Sequence, residues 1–302
     1  MMFETAELGQ KVSKQQFKER QVDLWESLLQ TQQDLHAYGR TSVMIDFAGV
    51  HGAGKLSAIN MLSKWMDVRR MTTQAYGEPS EEERKRPEFW RYWRDLPRRG
   101  QIGLYLSGRY SRPLIQYVYG ESSEQTFREQ LERINDFERM LADDGMLIIK
   151  FWMHLSRKAQ NKRRKALEKD ALQSWQVTDT DWKHWELYDK FVEAAEILIS
   201  TTNTGHAKWH IVEGADFNYR SLRVGKIVQK AIAKHLEAGQ LAEQFQQENP
   251  ATNGPETAES GEYRTLTILD SVSASKPLER ADYQAAMDKY VAELNTLHRE
   301  AL

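Results

Sequence analysis

Gly49-Val50-His51-Gly52-Ala53-Gly54-Lys55 matches the pattern G-x-x-x-x-G-K, and the residues on either side of it decide the fold. Before it, Ser42-Val43-Met44-Ile45-Asp46-Phe47 reads as a short buried strand; after it, Ile59, Leu62 and Met66 recur at helical spacing. Strand, glycine loop and helix in this order are what a phosphate-cradling loop requires. Glycines let the backbone turn its N–H groups inward, the helix start adds partial positive charge and Lys55 adds a full one, so the expected guest is an anion. A plain glycine-rich turn between a strand and a helix is the alternative. Leu56 follows the lysine where the usual motif has Ser or Thr, which leaves Ser57 as the nearest hydroxyl for a Mg²⁺ ion.

Working outward, the capping box Ser13-Lys14-Gln15-Gln16 and the apolar stripe Phe17, Leu24, Leu28, Leu35 predict a lead-in helix within residues 1–40. Met71 to Tyr76 reads as a strand, and Gly77-Glu78-Pro79 turns into a helix that Ser80 and Glu83 cap and that stops near Leu96-Pro97. Strands follow at 102–106, 146–155 and 209–213, with helices at 124–141 and 220–236. Strands alternating with helices imply a parallel sheet covered on both faces. The expectation is therefore an α/β fold: a P-loop kinase-like three-layer α/β/α sandwich on a parallel five-stranded sheet.

The chain has 302 residues, 40% of them hydrophobic, enough for one large core or two smaller ones. With 42 basic against 44 acidic residues, no global field favours nucleic acid or a membrane, so a polyanion site must come from local clustering. The absence of cysteine removes disulfides and thiolate metal sites, and the eight histidines show no paired ligand spacing for zinc. No run approaches the ~18 apolar residues of a membrane span, and the first residues do not form a signal peptide. The expected protein is soluble and cytoplasmic, without a nucleic-acid or membrane partner.

Residues 237–262 are rich in Gln, Glu, Asn, Gly, Thr and Ala, with Pro250 and Pro255, and read as a flexible linker. Beyond it, Tyr283, Tyr290 and Leu294 repeat the spacing of Phe17, Leu24 and Leu28. Residues 263–302 then read as the start of a second repeat, and the chain as one half of a tandem. A free C-terminal helix packing back on the domain is the alternative.

Glu78-Pro79-Ser80, Phe89-Trp90-Arg91-Tyr92-Trp93-Arg94-Asp95-Leu96-Pro97, Phe137-Glu138-Arg139-Met140-Leu141, Asp144-Gly145, Lys150-Phe151-Trp152, Leu155-Ser156, Gln160 with Arg163, Tyr188-Asp189 and Val212-Glu213-Gly214 follow the loop in order. With these pieces the chain resembles the type-2 polyphosphate kinase family over about residues 10–236, in particular the N-terminal half of two-domain polyphosphate:AMP phosphotransferases. The resemblance implies phosphoryl transfer between polyphosphate and a nucleotide (AMP to ADP), Mg²⁺ as cofactor, a P-loop domain over residues 41–236, and a helical lid at about 156–182. It also implies a second catalytic domain or another copy of the chain as partner.

Active members resemble one another in a loop G-x-D-x-x-G-K and a following D-R-S-x-Y-x-R. Here His51 holds the first acidic position and Leu106 the second; Ser107 and Gly108 replace the Arg and Ser, while Tyr110 and Arg112 remain. Mg²⁺ prefers hard oxygen ligands, imidazole is a poor substitute and leucine offers none. Without both acids most of the protein's contribution to phosphoryl transfer is removed. The expectation is a pseudo-kinase half with no catalytic or metal-ligating residues of its own. Gly49, Gly52, Gly54, Lys55, Ser57 and Arg112 would bind phosphate or nucleotide, and Arg163 and Arg164 on the lid would contact polyanion. Asp46 is expected on the opposite strand face, away from a metal, and Asp189 and Glu213 to cap or pair with neighbours. Two other readings stay open: an active phosphotransferase using other acids, and a purely structural or oligomerisation module with an empty P-loop.

Overall fold

The segment Val43–Gly49 (β1) is buried along almost its whole length, as a strand flanked on both sides must be. In the computed structural model, which describes residues 2–169, 186–248 and 279–300, β1 is the centre of a five-stranded sheet ordered β2-β3-β1-β4-β5. The other strands are β2 (Met71–Ala75), β3 (Ile102–Leu106), β4 (Leu147–His154) and β5 (Trp209–Glu213), and every pairing is parallel. Phe47 lies beside Leu106 on one side and Phe151 on the other, and Gly49 beside Met153. The loop after β1 leads toward β2 on one side of the sheet, whereas the chain after β4 leads to β5 on the other. The crevice between the carboxyl ends of β1 and β4 is thus a topological switch point, where parallel α/β sheets bind ligands.

Helices cover both faces. On one lie α1 (Lys14–Tyr38), α2 (Lys55–Trp65) and the long C-terminal helix of this unit; on the other lie α5 (Ser111–Val118), α6 (Glu124–Asp143) and α8 (Tyr188–Thr202). Between β2 and β3 run two short helices, α3 (Glu81–Arg84) and α4 (Trp90–Arg94), and α7 (Arg157–Lys169) follows β4. The long helix, α9 (Phe217–Glu248), packs its Gly225 against Trp65, Leu24 and Leu28. Alternation along β1 sends Ile45 and Phe47 into the larger core with Leu28, Ile59, Leu62 and Val228, and Met44 into the smaller one with Tyr105, Phe137 and Ile148.

Three readings change, and a fourth is described only in part. The helix expected from Ser80 to Leu96 is broken: Ser80 and Glu83 form their capping box, but Pro87 disfavours helix at Arg86 and supplies no N–H, so α3 and α4 are separate. The α5 helix went unread because Pro113 sits in it; the first turn tolerates that. The expected linker is overrun, since α9 continues through 237–248; there Tyr38 donates to Glu243 at 2.8 Å and Arg40 pairs with Glu243 at 3.1 Å. Of the expected lid, 157–169 is helical, and 170–182 lies outside the described residues, as do 249–262 of the linker and 263–278 of the tail.

The chain divides into two units, Met1–Phe245 and Gln246–Leu302. In the second, helix α10 (Arg280–Glu300) exposes Tyr283, Met287, Tyr290, Val291 and Leu294. Among the described residues no helix is long and apolar enough to cross a membrane.

Candidate functional site

The glycine loop leaves the carboxyl end of β1 and ends at the start of α2. Val50 N–H donates to Met153 O at 3.0 Å, holding the loop against β4. Gly49 has φ 131°, and a Cβ there would lie 2.1 Å from Met153 O, so only glycine lets the strands meet this closely. Gly54 caps α2 in the left-handed region, φ 85°. Gly52, Gly54, Lys55 and Ser57 all line a cleft of about 1410 Å³ at the switch point.

Lys55 Nζ turns back on the loop and donates to Gly49 O at 2.7 Å and Val50 O at 3.2 Å. Burial lowers its pKa to about 8. Of the expected cleft arginines, Arg112 stands exposed in the first turn of α5 and lines the cleft. Arg163 also lines it, its Cδ 3.4 Å from where a Cβ on Gly52 would be; Arg164 is not among the lining residues.

Sequence reasoning missed Arg220, in the first turns of α9. It is 3% exposed, and its Nη1 donates to Gly214 O at 2.7 Å and its Nη2 to Ser57 Oγ at 3.0 Å. Burial, with Arg163 nearby, lowers its pKa to about 10, so it remains a cation at neutral pH. In sequence it looks like any helix arginine; only the fold returns it to the loop.

His51 and Leu106, expected to stand in place of acids, both lie at the cleft. His51 lies half-buried in the loop, its carbonyl accepting from Gln160 Nε2 at 3.3 Å, and Leu106 ends β3 beside Phe47. Ser107 has φ 52°, a conformation few non-glycine residues adopt. The carboxylates that line the cleft are Glu78, Glu83 and Glu88. Glu83 is held by Ser80 N–H and by Arg91 and Arg94 at 3.5 and 3.3 Å, and Glu88 by Arg133 at 3.0 Å.

Asp46 faces away from the loop. Its Oδ1 accepts from Arg109 Nη1 at 3.1 Å, and Arg109 Nη2 reaches Glu138 Oε1 at 2.5 Å. Lys150 Nζ donates to Glu138 Oε2 at 2.7 Å, Thr202 O at 2.6 Å and Tyr110 Oη at 3.0 Å, while the Tyr110 hydroxyl donates to Glu138. Burial raises the Asp46 carboxyl despite Arg109. Burial would raise Glu138 too, but Arg109 and Lys150 outweigh it and hold the carboxyl below its usual range. This network packs between β1, β4, α5 and α6 and fixes the start of α5, which carries Arg112. Asp189 accepts from exposed Arg157 at 2.7 Å, and Glu213 accepts from the N–H groups of Gly9 and Gln10, both at 3.0 Å.

Residues 11–239 match the Polyphosphate kinase 2 family. The chain belongs to that family. A polyphosphate:AMP phosphotransferase of Pseudomonas aeruginosa is 36% identical over 299 residues, covering 99% of this chain and 59% of the relative. One from Pseudomonas syringae pv. tomato is 36% identical over 285 residues, covering 94% and 55%. The chain thus spans little more than half the length of these relatives. A crystal structure of a Pseudomonas aeruginosa PA01 chain assigned to polyphosphate kinase 2 superposes with a TM-score of 0.79 at 32% identity, covering 99% of this chain and 56% of that one. Polyphosphate kinase 2 from Arthrobacter aurescens TC1 shares the fold, with a TM-score of 0.71 at 24% identity over 75% of this chain and 82% of that one.

Membership of the polyphosphate kinase 2 family raises the question of magnesium, and the donors present do not fit it. At the two positions where the motif leads one to expect acids, His51 and Leu106 present an imidazole and an isobutyl group. Ser57, the nearest hydroxyl, already accepts from Arg220, and Glu83 and Glu88 are tied to arginines. Among the described residues no three His, Asp or Glu side chains converge to hold a metal ion. Exposed Glu78 is the cleft carboxylate that no arginine holds among the described residues, and this one carboxylate does not replace the pair of acids that the motif would set against a hard dication.

Proposed function

We propose that this chain is a polyphosphate kinase 2-type half-protein that holds a phosphate chain or the phosphates of a nucleotide at its P-loop and does not itself transfer a phosphoryl group. The polyphosphate:AMP phosphotransferase reaction, AMP to ADP, would belong to a catalytic partner, either a second domain or another copy, against which this half docks. One observation carries the reading: the anion-binding half of the site, Gly49 to Lys55 with Arg112 and Arg163, is retained, while the acidic half is replaced by His51 and Leu106. Anion binding needs inward N–H groups and cations alone. Phosphoryl transfer in this class also needs the transferring group's charge neutralised in place.

A second reading, a structural module with an empty loop, is favoured by the Lys55 ammonium being already engaged by Gly49 O and Val50 O. Titration calorimetry with ADP and with tripolyphosphate separates the two. Heat with either ligand, lost in Lys55→Ala, supports binding; no heat with either leaves the structural module.

A further inference from the structure

Arg220 is a buried guanidinium set at the amino end of α2. A Cβ on Gly54 would lie 2.5 Å from its Nε, so the glycine is what admits the charge to this place. Its Nε has no hydrogen-bond partner although the atom is buried. Its two other nitrogens go to a neutral carbonyl and a neutral hydroxyl, and no described carboxylate forms an ion pair with it. Nearby Asp216 spends Oδ1 on the N–H groups of Tyr219 and Val12, at 2.7 and 3.3 Å. Asp216 therefore acts on Arg220 only through space, and a buried cation with no carboxylate in direct contact is costly, a cost that an anion at the loop would offset.

The bond to Ser57 also decides what that serine can do. With one lone pair of Oγ taken by Arg220 Nη2, the hydroxyl proton is available to donate to a phosphate oxygen. A Mg²⁺ ion bonded to Oγ at about 2.1 Å would instead stand within ~5 Å of a guanidinium nitrogen of like charge. The second guanidinium side chain over the loop, Arg163 beside Gly52, adds to the same repulsion.

Resting on the binding reading above, we infer that this loop takes its phosphate ligand without a divalent cation, Arg220 behind Gly54 and Ser57 supplying the fixed positive charge that a metal supplies in catalysing phosphate loops. The ligand is then metal-free: a bare polyphosphate chain or the phosphates of a free nucleotide.

The test is calorimetry on the full chain with tripolyphosphate and with ADP, each in EDTA and in excess Mg²⁺. The two ligands distinguish the source of the phosphate. The expected Kd in EDTA is equal to or below that in Mg²⁺, because complexed magnesium lowers the ligand's charge. Tightening by Mg²⁺ of more than threefold overturns the inference and leaves the binding reading standing, whereas no heat in any condition removes both. Arg220→Gln should weaken binding in EDTA tenfold or more, and Arg220→Lys, which keeps the charge, less than threefold. Equal losses in the two variants, or none in the glutamine variant, would show that the charge has no such role.

Discussion

Lys55 Nζ lies 2.7 Å from the carbonyl oxygen of Gly49, so the cation of the phosphate loop is held by the loop's own backbone. Its position is set before a ligand arrives, and binding must exchange carbonyl contacts for phosphate contacts. Burial lowers the ammonium to about 8. A lysine so depressed is charged below pH 8 and neutral above it, so affinity for tripolyphosphate should fall as pH rises from 7 to 9. Lys55→Met should bind weakly and show no such fall. Calorimetry at the two pH values checks both statements; equal affinity for the wild type at pH 7 and 9 would contradict them.

Gly49→Ala should destabilise the sheet-bearing unit, since the added methyl group meets Met153 backbone 2.1 Å away at φ 131°. Neither strand can give way without disturbing the β1–β4 pairing. The expected cost is about 3 kcal/mol, or ~6–12 °C in Tm for a unit of this size, read by thermal melting followed by circular dichroism.

Removing Glu138 should be severe because it leaves Lys150 and Arg109 buried without their shared carboxylate. Glu138→Ala is expected to cost about 3–5 kcal/mol in urea unfolding. Replacing the pair together, Glu138→Leu with Lys150→Met, should recover much of that, because breaking a buried pair is worse than omitting it. Strict additivity of the two single changes would show that the pair is uncoupled.

Restoring the two acids should not restore the family's reaction. His51→Asp with Leu106→Asp supplies carboxylates, but Ser107 and Gly108 still depart from the motif. A Cβ on Gly108 would lie 3.3 Å from Asp46 Oδ1, so returning a serine there crowds the buried pair with Arg109. Coupled assay of ADP formation from AMP and polyphosphate is expected to show no turnover in the double variant.

Much of the fold was legible because β1 and the glycine loop carry a local signal, and β1, β3 and β4 are short, mainly apolar, largely buried runs. What escaped had a physical cause. Pro87 split a helix whose cap and aromatics read as continuous, and Pro113 masked one whose first turn accommodates it. The cleft lining was legible where a residue type stands at a fixed place in a motif, as with Lys55, Arg112, His51 and Leu106, all of which line it. Arg220 was not, because its meaning depends on α9 returning to the loop, a contact across 163 positions of sequence. Strand alternation correctly turned Asp46 away from the loop, but the partners waiting for it, Arg109 and Glu138, come from elements that local pattern does not relate.

Single-turnover phosphoryl transfer tests the central claim most directly. With the purified chain in excess over AMP, polyphosphate and Mg²⁺ present, ³¹P spectra should show no ADP above the protein-free control over hours. ADP formation that Lys55→Ala abolishes would contradict it.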